Sequence, residues 1–236
     1  MRGGAADFPG RHVARLQRDG ALLGWAPPEA DRILEAFRRL GEAVFGEGEG
    51  IIRVELRPDD AGRASVIARA RSLGDEAPCW RGTLAPFVHP GRGAHPGVKH
   101  TEHPIWSRGR AHAADLGLDE ALLCDEKRQL VEGARSALIV VLGDGTVAFA
   151  DPALGGVASI GLAVLLEHAS GLVARRIPVD AVQGAREVIA VNAVRGVRPI
   201  VAIDGREVGE GGPGPTARRL AAAFDRAVQE ESRSAR

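Results

Sequence analysis

Lys99 stands in the run Gly-Val-Lys-His-Thr-Glu-His-Pro, within a stretch rich in glycine, proline and histidine. A lysine amine attacks carbonyl carbon and, once deprotonated, serves as a base. A single loop lysine is ordinarily a solvated charge, so its meaning depends on what accompanies it. Four histidines, His89, His95, His100 and His103, share its loop. Imidazoles ligate metals, but this spacing fits no zinc motif, and no metal site is expected. Gly209, Gly211 and Gly214 formally match a dinucleotide fingerprint. The match lies near the C-terminus, contains Pro213 and precedes no βαβ unit with an acidic residue, so it is set aside. Arg195 and Arg198 flank Gly196-Val197. Either guanidinium suits bidentate capture of a substrate carboxylate, and either suits plain solvent exposure. No nucleophile-elbow or phosphate-loop motif occurs.

The elements that must position these residues follow from periodicity. Residues 11–23 space Val13, Leu16, Ala21 and Leu22 as on a helix. A second helix is expected from Glu29 to Phe45 after two prolines, with Ile33, Leu34, Phe37 and Leu40 on one face. Residues 51–58 and 64–71 alternate as paired strands around a Pro-Asp-Asp-Ala-Gly-Arg loop. The stretch from Pro86 to Pro104 reads as a loop. It suggests a boundary between a small domain, 1–90, and a larger one, 91–236, that carries Lys99. A helix over Ile105–Leu116, a strand over 119–125 and a turn at Glu126–Arg128 come next. Residues 137–142 and the run from Val147 form strands joined by Gly-Asp-Gly, a strong hairpin signal. A helix over Val157–Ser170, strands over 174–179, 186–193 and 198–204, and a helix from Pro215 to Glu230 complete the chain. Strands and helices mix without strict βαβ alternation, which argues for an α+β architecture.

Four motifs in order resemble the class-IV aminotransferases, particularly aminodeoxychorismate lyases, and the resemblance covers about residues 10–230. They are the lysine at a loop opening onto an arginine-bearing helix, with Asp-Glu-Ala-Leu (119–122) next; Val131-Glu-Gly-Ala-Arg-Ser136; Asn192-Ala-Val-Arg-Gly-Val-Arg-Pro199; and Ile203-Asp-Gly-Arg-Glu-Val-Gly-Glu-Gly-Gly-Pro-Gly-Pro215. The resemblance implies a two-domain, pyridoxal-phosphate-dependent fold-type-IV architecture, like that of D-amino-acid aminotransferase and shortened at the N-terminus. It implies pyridoxal 5'-phosphate as cofactor, Lys99 as its Schiff-base lysine and proton shuttle, and Glu132 facing the pyridine nitrogen. Arg15, in His-Val-Ala-Arg-Leu, matches a phosphate-contacting arginine. In Gly-Gly-Val-Ala-Ser-Ile-Gly (155–161) the backbone N–H groups of Val157 and Ala158 are expected at the phosphate. Ala158 stands where the family has threonine, with Ser159 beside it. Asn192 and Ala193 match a second phosphate-side loop. The chain has no tyrosine, so His103 is the nearest candidate to replace one beside the cofactor ring. The implied function is that of an aminodeoxychorismate lyase. A branched-chain or D-amino-acid aminotransferase and a non-catalytic homologue are the alternatives. An amino-acid-like substrate and a homodimer are expected.

Composition narrows the field. Thirty-one basic and thirty-one acidic residues cancel, so no global field argues for nucleic acid. A chain of 236 residues can bury an adequate core without staples. Two cysteines without Cys-x-x-Cys spacing make a reducing cytoplasm the default. No apolar run approaches a membrane span, and Met-Arg-Gly-Gly-Ala-Ala-Asp-Phe lacks the apolar core of a signal peptide.

Overall fold

The computed structural model describes residues 6–26, 28–46, 48–101 and 103–234. The chain divides into two compact units, residues 1–76 with 228–236, and residues 77–227.

The first unit sets two helices beside a hairpin. α1 (Pro9–Leu22) begins with proline in its first turn, where the missing N–H costs nothing. α2 (Ala30–Phe45) presents Ile33 and Phe37 on its buried face. β1 (Gly50–Pro58) and β2 (Ala64–Ser72) pair antiparallel in unbroken register. Asp59 closes their turn by accepting from the Ala61 and Arg63 N–H groups at 3.0 and 2.9 Å. Val13, Ile33 and Phe37 form the core, with Ile52, Val54 and Val66 against it.

The second unit holds one mixed sheet. Its strands are β3 (Trp80–Val88), β4 (Glu120–Cys124), β5 (Leu130–Gly133), β6 (Ala137–Val141), β7 (Val147–Ala150), β8 (Leu172–Arg175), β9 (Glu187–Asn192), β10 (Gly196–Ile203) and β11 (Arg206–Glu207). The order is β5-β4-β3-β10-β9-β6-β7-β8, with β11 on β10. β3 runs parallel to both β4 and β10, and β7 parallel to β8; the other pairs are antiparallel. α3 (Pro104–Asp115), α4 (Ile160–His168), α5 (Val179–Gln183) and α6 (Pro215–Ser234) complete the element order.

The sequence reading leaves β3 unassigned and runs a loop into its end. Gly82 and Pro86 interrupt the apolar pattern, and Pro86 has no N–H for a ladder. The sheet accommodates it with a register shift between Leu84 and Val88 opposite β4. Trp80, fully buried, anchors the strand among Leu122, Ile200 and Ile203. The sequence reading also leaves β5 unassigned, between the turn at Glu126–Arg128 and the strand from residue 137. All four of its residues are buried. α4 starts at Ile160 rather than Val157, since the Val157 and Ala158 N–H groups bond outward and Ser159 caps the helix. The Gly-Asp-Gly hairpin is present between β6 and β7, closed by Leu142 N–H to the Thr146 carbonyl at 2.9 Å.

Candidate active site at the Glu132 carboxylate

Glu132 is a carboxylate near the end of β5 with only 6 % of its surface exposed. A buried charge must be met by donors, and three N–H groups meet it. The Trp106 indole on α3 donates to Oε1 at 2.6 Å, and His89 Nε2 lies 3.3 Å from the same oxygen. The Val157 backbone donates to Oε2 at 2.9 Å. Each carboxylate oxygen offers two acceptor positions. Among the described residues, Oε1 therefore has both filled, while Oε2 retains one.

The Lys99 loop lies against this group. Ala158 N–H donates to the Gly97 carbonyl at 3.0 Å, holding the segment two residues before Lys99 to the segment beside Glu132. Gly97 has φ +78, a conformation that side chains rarely adopt, and a Cβ there would be in ordinary contact with Ala158 at 3.6 Å. Lys99 itself is exposed. His100 and His103 stand edge-on or tilted to the Trp106 ring, with centroids 5.9 and 5.4 Å away. His103, the nearest candidate to replace a tyrosine beside the cofactor ring, caps α3: its Nδ1 accepts from Ile105 N–H at 3.3 Å. Burial, reinforced by His100 and His89 and opposed by Glu132, lowers the His103 imidazole below its usual range.

A second focus lies at the start of α4. Ser159 is its N-cap, accepting from Leu162 N–H at 3.3 Å. Gly161 packs on the β9 terminus so closely that a Cβ would sit 2.9 Å from the Asn192 carbonyl carbon. Asn192 Oδ1 accepts from the Val194 and Arg195 N–H groups at 3.0 and 2.8 Å, which folds the β9–β10 connection. The residues expected at the phosphate, Val157, Ala158, Ser159, Asn192 and Ala193, thus converge. One detail differs from the sequence reading. The Val157 and Ala158 N–H groups, assigned there to the phosphate, are engaged by Glu132 and Gly97. The N–H groups that helix geometry leaves without intrahelical partners are those of the first turn of α4. Arg15 lies on α1 in the first unit, where burial lowers its guanidinium and Asp19 opposes the shift. Arg198 donates through Nη1 to the Val197 carbonyl at 2.9 Å.

Sequence reasoning gives no site role to Trp106, and it names His89 only as a possible metal ligand. Both are recognisable only once the strands place Glu132. Among the described residues no group of His, Cys, Asp or Glu is arranged to hold a metal ion. Nor is any helix among them long and apolar enough to cross a membrane.

A buried acid beside a lysine-bearing loop and a helix N-terminus offers an acceptor, an amine and anion-binding N–H groups in one place. The chain belongs to the amino-transferase class IV family, whose profile matches residues 3–203. Enzymes of this family work with pyridoxal phosphate. No curated protein matches the chain. Among solved structures, a T.th. branched-chain amino acid aminotransferase with pyridoxamine 5'-phosphate is similar at TM-score 0.81 and 24 % identity, over 93 % of this chain and 78 % of that one. A putative branched-chain amino acid aminotransferase from Thermotoga maritima gives 0.82 and 19 %, over 94 % and 80 %. A fold IV-transaminase from Curtobacterium pusillum gives 0.78 and 23 %, over 96 % and 82 %. At these identities the likeness establishes the fold. The expected α+β fold-type-IV architecture is the one found.

The donor set suits the family's cofactor. The remaining acceptor position on Glu132 Oε2 matches a protonated ring nitrogen, and the first turn of α4 matches a phosphate.

Proposed function

We propose that the protein handles the α-carbon proton of an amino-acid-like substrate, with Lys99 as the proton-moving amine and Glu132 as the group that keeps the cofactor's ring nitrogen protonated. The bound cofactor supplies the electron sink that stabilises charge developing at that carbon. Glu132 acts through a charge-assisted hydrogen bond whose orientation is fixed by three protein donors. Ser159, the first turn of α4 and the Asn192–Ala193 corner hold the phosphate, and Arg15 is the candidate for a further contact to it. Arg195 or Arg198 takes the substrate carboxylate. The observation that carries this reading is the buried Glu132 carboxylate with one acceptor position left, beside a loop that carries a lysine.

The order of motifs favours cleavage of aminodeoxychorismate as the particular reaction. A branched-chain transamination is the second reading, and the naming of the structural neighbours favours it. The protein, incubated with pyridoxal phosphate, reduced with borohydride and digested, is expected to carry the label on the Lys99 peptide. A label elsewhere, or none, overturns the assignment. Cleavage of aminodeoxychorismate then marks the lyase. Conversion of bound pyridoxal to pyridoxamine by a branched-chain amino acid marks the transaminase. Cofactor binding with neither reaction points to a homologue that has lost catalysis.

A further inference from the structure

His89 follows β3 directly, at the point where the chain enters the Lys99 loop. It is 3 % exposed, and its backbone N–H donates to the Cys124 carbonyl at 2.7 Å. Its ring has one possible tautomer in this setting. Gly91 N–H points at Nδ1 from 3.1 Å. A nitrogen that accepts carries no proton, so the proton of the neutral imidazole is on Nε2, 3.3 Å from Glu132 Oε1.

The His89 loop is joined to the other side of the carboxylate. Gly155 has φ +92, and a Cβ there would lie 2.4 Å from Arg92 Cα and 2.5 Å from the Gly91 carbonyl oxygen. The two loops can touch only because position 155 has no side chain. Two residues on, Val157 N–H takes Glu132 Oε2. One loop therefore holds Oε1 and the other holds Oε2, and each loop fixes the other. Trp106 and Val157 put one donor on each oxygen, and His89 adds the second donor to Oε1, which fixes the tilt of the carboxylate and leaves its remaining acceptor position on Oε2.

We propose that His89 is the positioning residue of this site, orienting Glu132 so that the remaining acceptor position on Oε2 is presented to the cofactor. The proposal rests on the role given to Glu132 above, and the test separates the two. Asparagine at this position reaches Gly91 but falls short of Glu132, whereas a glutamine amide reaches close to where Nε2 lies. Nitrogen-15 NMR of the cofactor-free protein is expected to show His89 protonated at Nε2 alone, with a resonance that moves in Glu132→Gln. His89→Asn is expected to shift the Trp106 indole N–H resonance and to weaken pyridoxal phosphate binding roughly 10- to 100-fold, the effect of one hydrogen bond to a charged group. His89→Gln is expected to restore both. A His89 protonated at Nδ1 overturns the proposal, as does an indole resonance and an affinity unchanged in His89→Asn. If His89→Asn unfolds, the wild-type imidazole decides: indifference to Glu132→Gln overturns the proposal. If the wild-type protein takes up no pyridoxal phosphate, the role given to Glu132 fails, while the resonances still report whether His89 orients the carboxylate.

Discussion

Glu132 and Glu120 are both buried acids on neighbouring strands, and their surroundings assign them opposite work. Glu132 has three N–H donors and lies at the site. Glu132→Gln can keep its oxygen toward Trp106 and His89, but then sets its amide N–H against Val157 N–H. We predict a folded protein, destabilised by about 1–3 kcal/mol, in which α-proton removal slows by orders of magnitude. Stopped-flow measurement of substrate deuterium exchange checks this; unchanged exchange would assign the carboxylate a purely structural role. Glu120 is 1 % exposed and bonds to the Ser136 hydroxyl and the Ala121 N–H. Burial, opposed by Ser136 and Arg135, pushes its carboxyl up to about 7. The folded state thus keeps a proton that the unfolded chain releases near the ordinary value of 4.5. Between those values the folded state binds more protons, so its stability falls as pH rises. The contribution is complete below about 4.5 and is lost through about 7, on the order of 3 kcal/mol. Glu120→Gln should flatten the denaturation midpoint between about pH 4.5 and 7, and urea titrations across that range decide it.

Elements are held in place here by carboxylates and by missing side chains. Glu187, at the start of β9, accepts from the Thr216 and Ala217 N–H groups at 2.9 and 2.8 Å, capping α6 from a distant strand. Its carboxylate occupies the space where a Cβ on Gly214 would sit, 2.2 Å from Cδ. Gly209, at φ +58, approaches the Arg186 carbonyl in the same way, at 2.1 Å. The glycine run that formally matches a dinucleotide fingerprint is therefore a packing device. Glu187→Ala should cost about 1–3 kcal/mol by uncapping α6; thermal melting that matches wild type would contradict it. Gly161→Ala should push the first turn of α4 away from Asn192 and weaken phosphate-dependent cofactor binding more than binding of dephosphorylated pyridoxal. Equal losses for both ligands would place the effect outside the phosphate corner. α1, α2, α3, α4, α6 and the two hairpins were legible in the sequence because periodicity and turn chemistry are local, whereas α5 was not: the strand expected over 174–179 lies at Leu172–Arg175, and Val179 opens a one-turn helix too short to show a period. β3 and β5 were not, since Pro86 and Glu132 break the strand pattern for reasons that exist only in three dimensions. The site was legible as a set of motifs. The resemblance pointed to Lys99 and Glu132, whereas nothing in the spacing could reveal that His89 and Trp106 meet the same oxygen.

At the scale of the molecule, assembly and biogenesis are open to test. The family resemblance leads us to predict a homodimer. Val88, 57 % exposed, and Leu116, 54 % exposed, are large apolar side chains in the second unit that an interface would cover. Sedimentation at micromolar concentration showing only monomer would refute this. The central position of β3 has a further consequence. One of its neighbours, β4, follows after a single helix, while the other, β10, pairs Trp80 with Ile200. A ribosome adding about 5–20 residues per second needs roughly 6–24 s to make the intervening segment. For that interval one side of β3 carries unsatisfied N–H and C=O groups on a strand that is built to be covered. Nascent chains arrested before residue 196 are therefore expected to recruit holdase chaperones or to self-associate, and chains released after α6 are not. If arrested and completed chains stay equally dispersed, some other segment protects that edge until its distant partner is made.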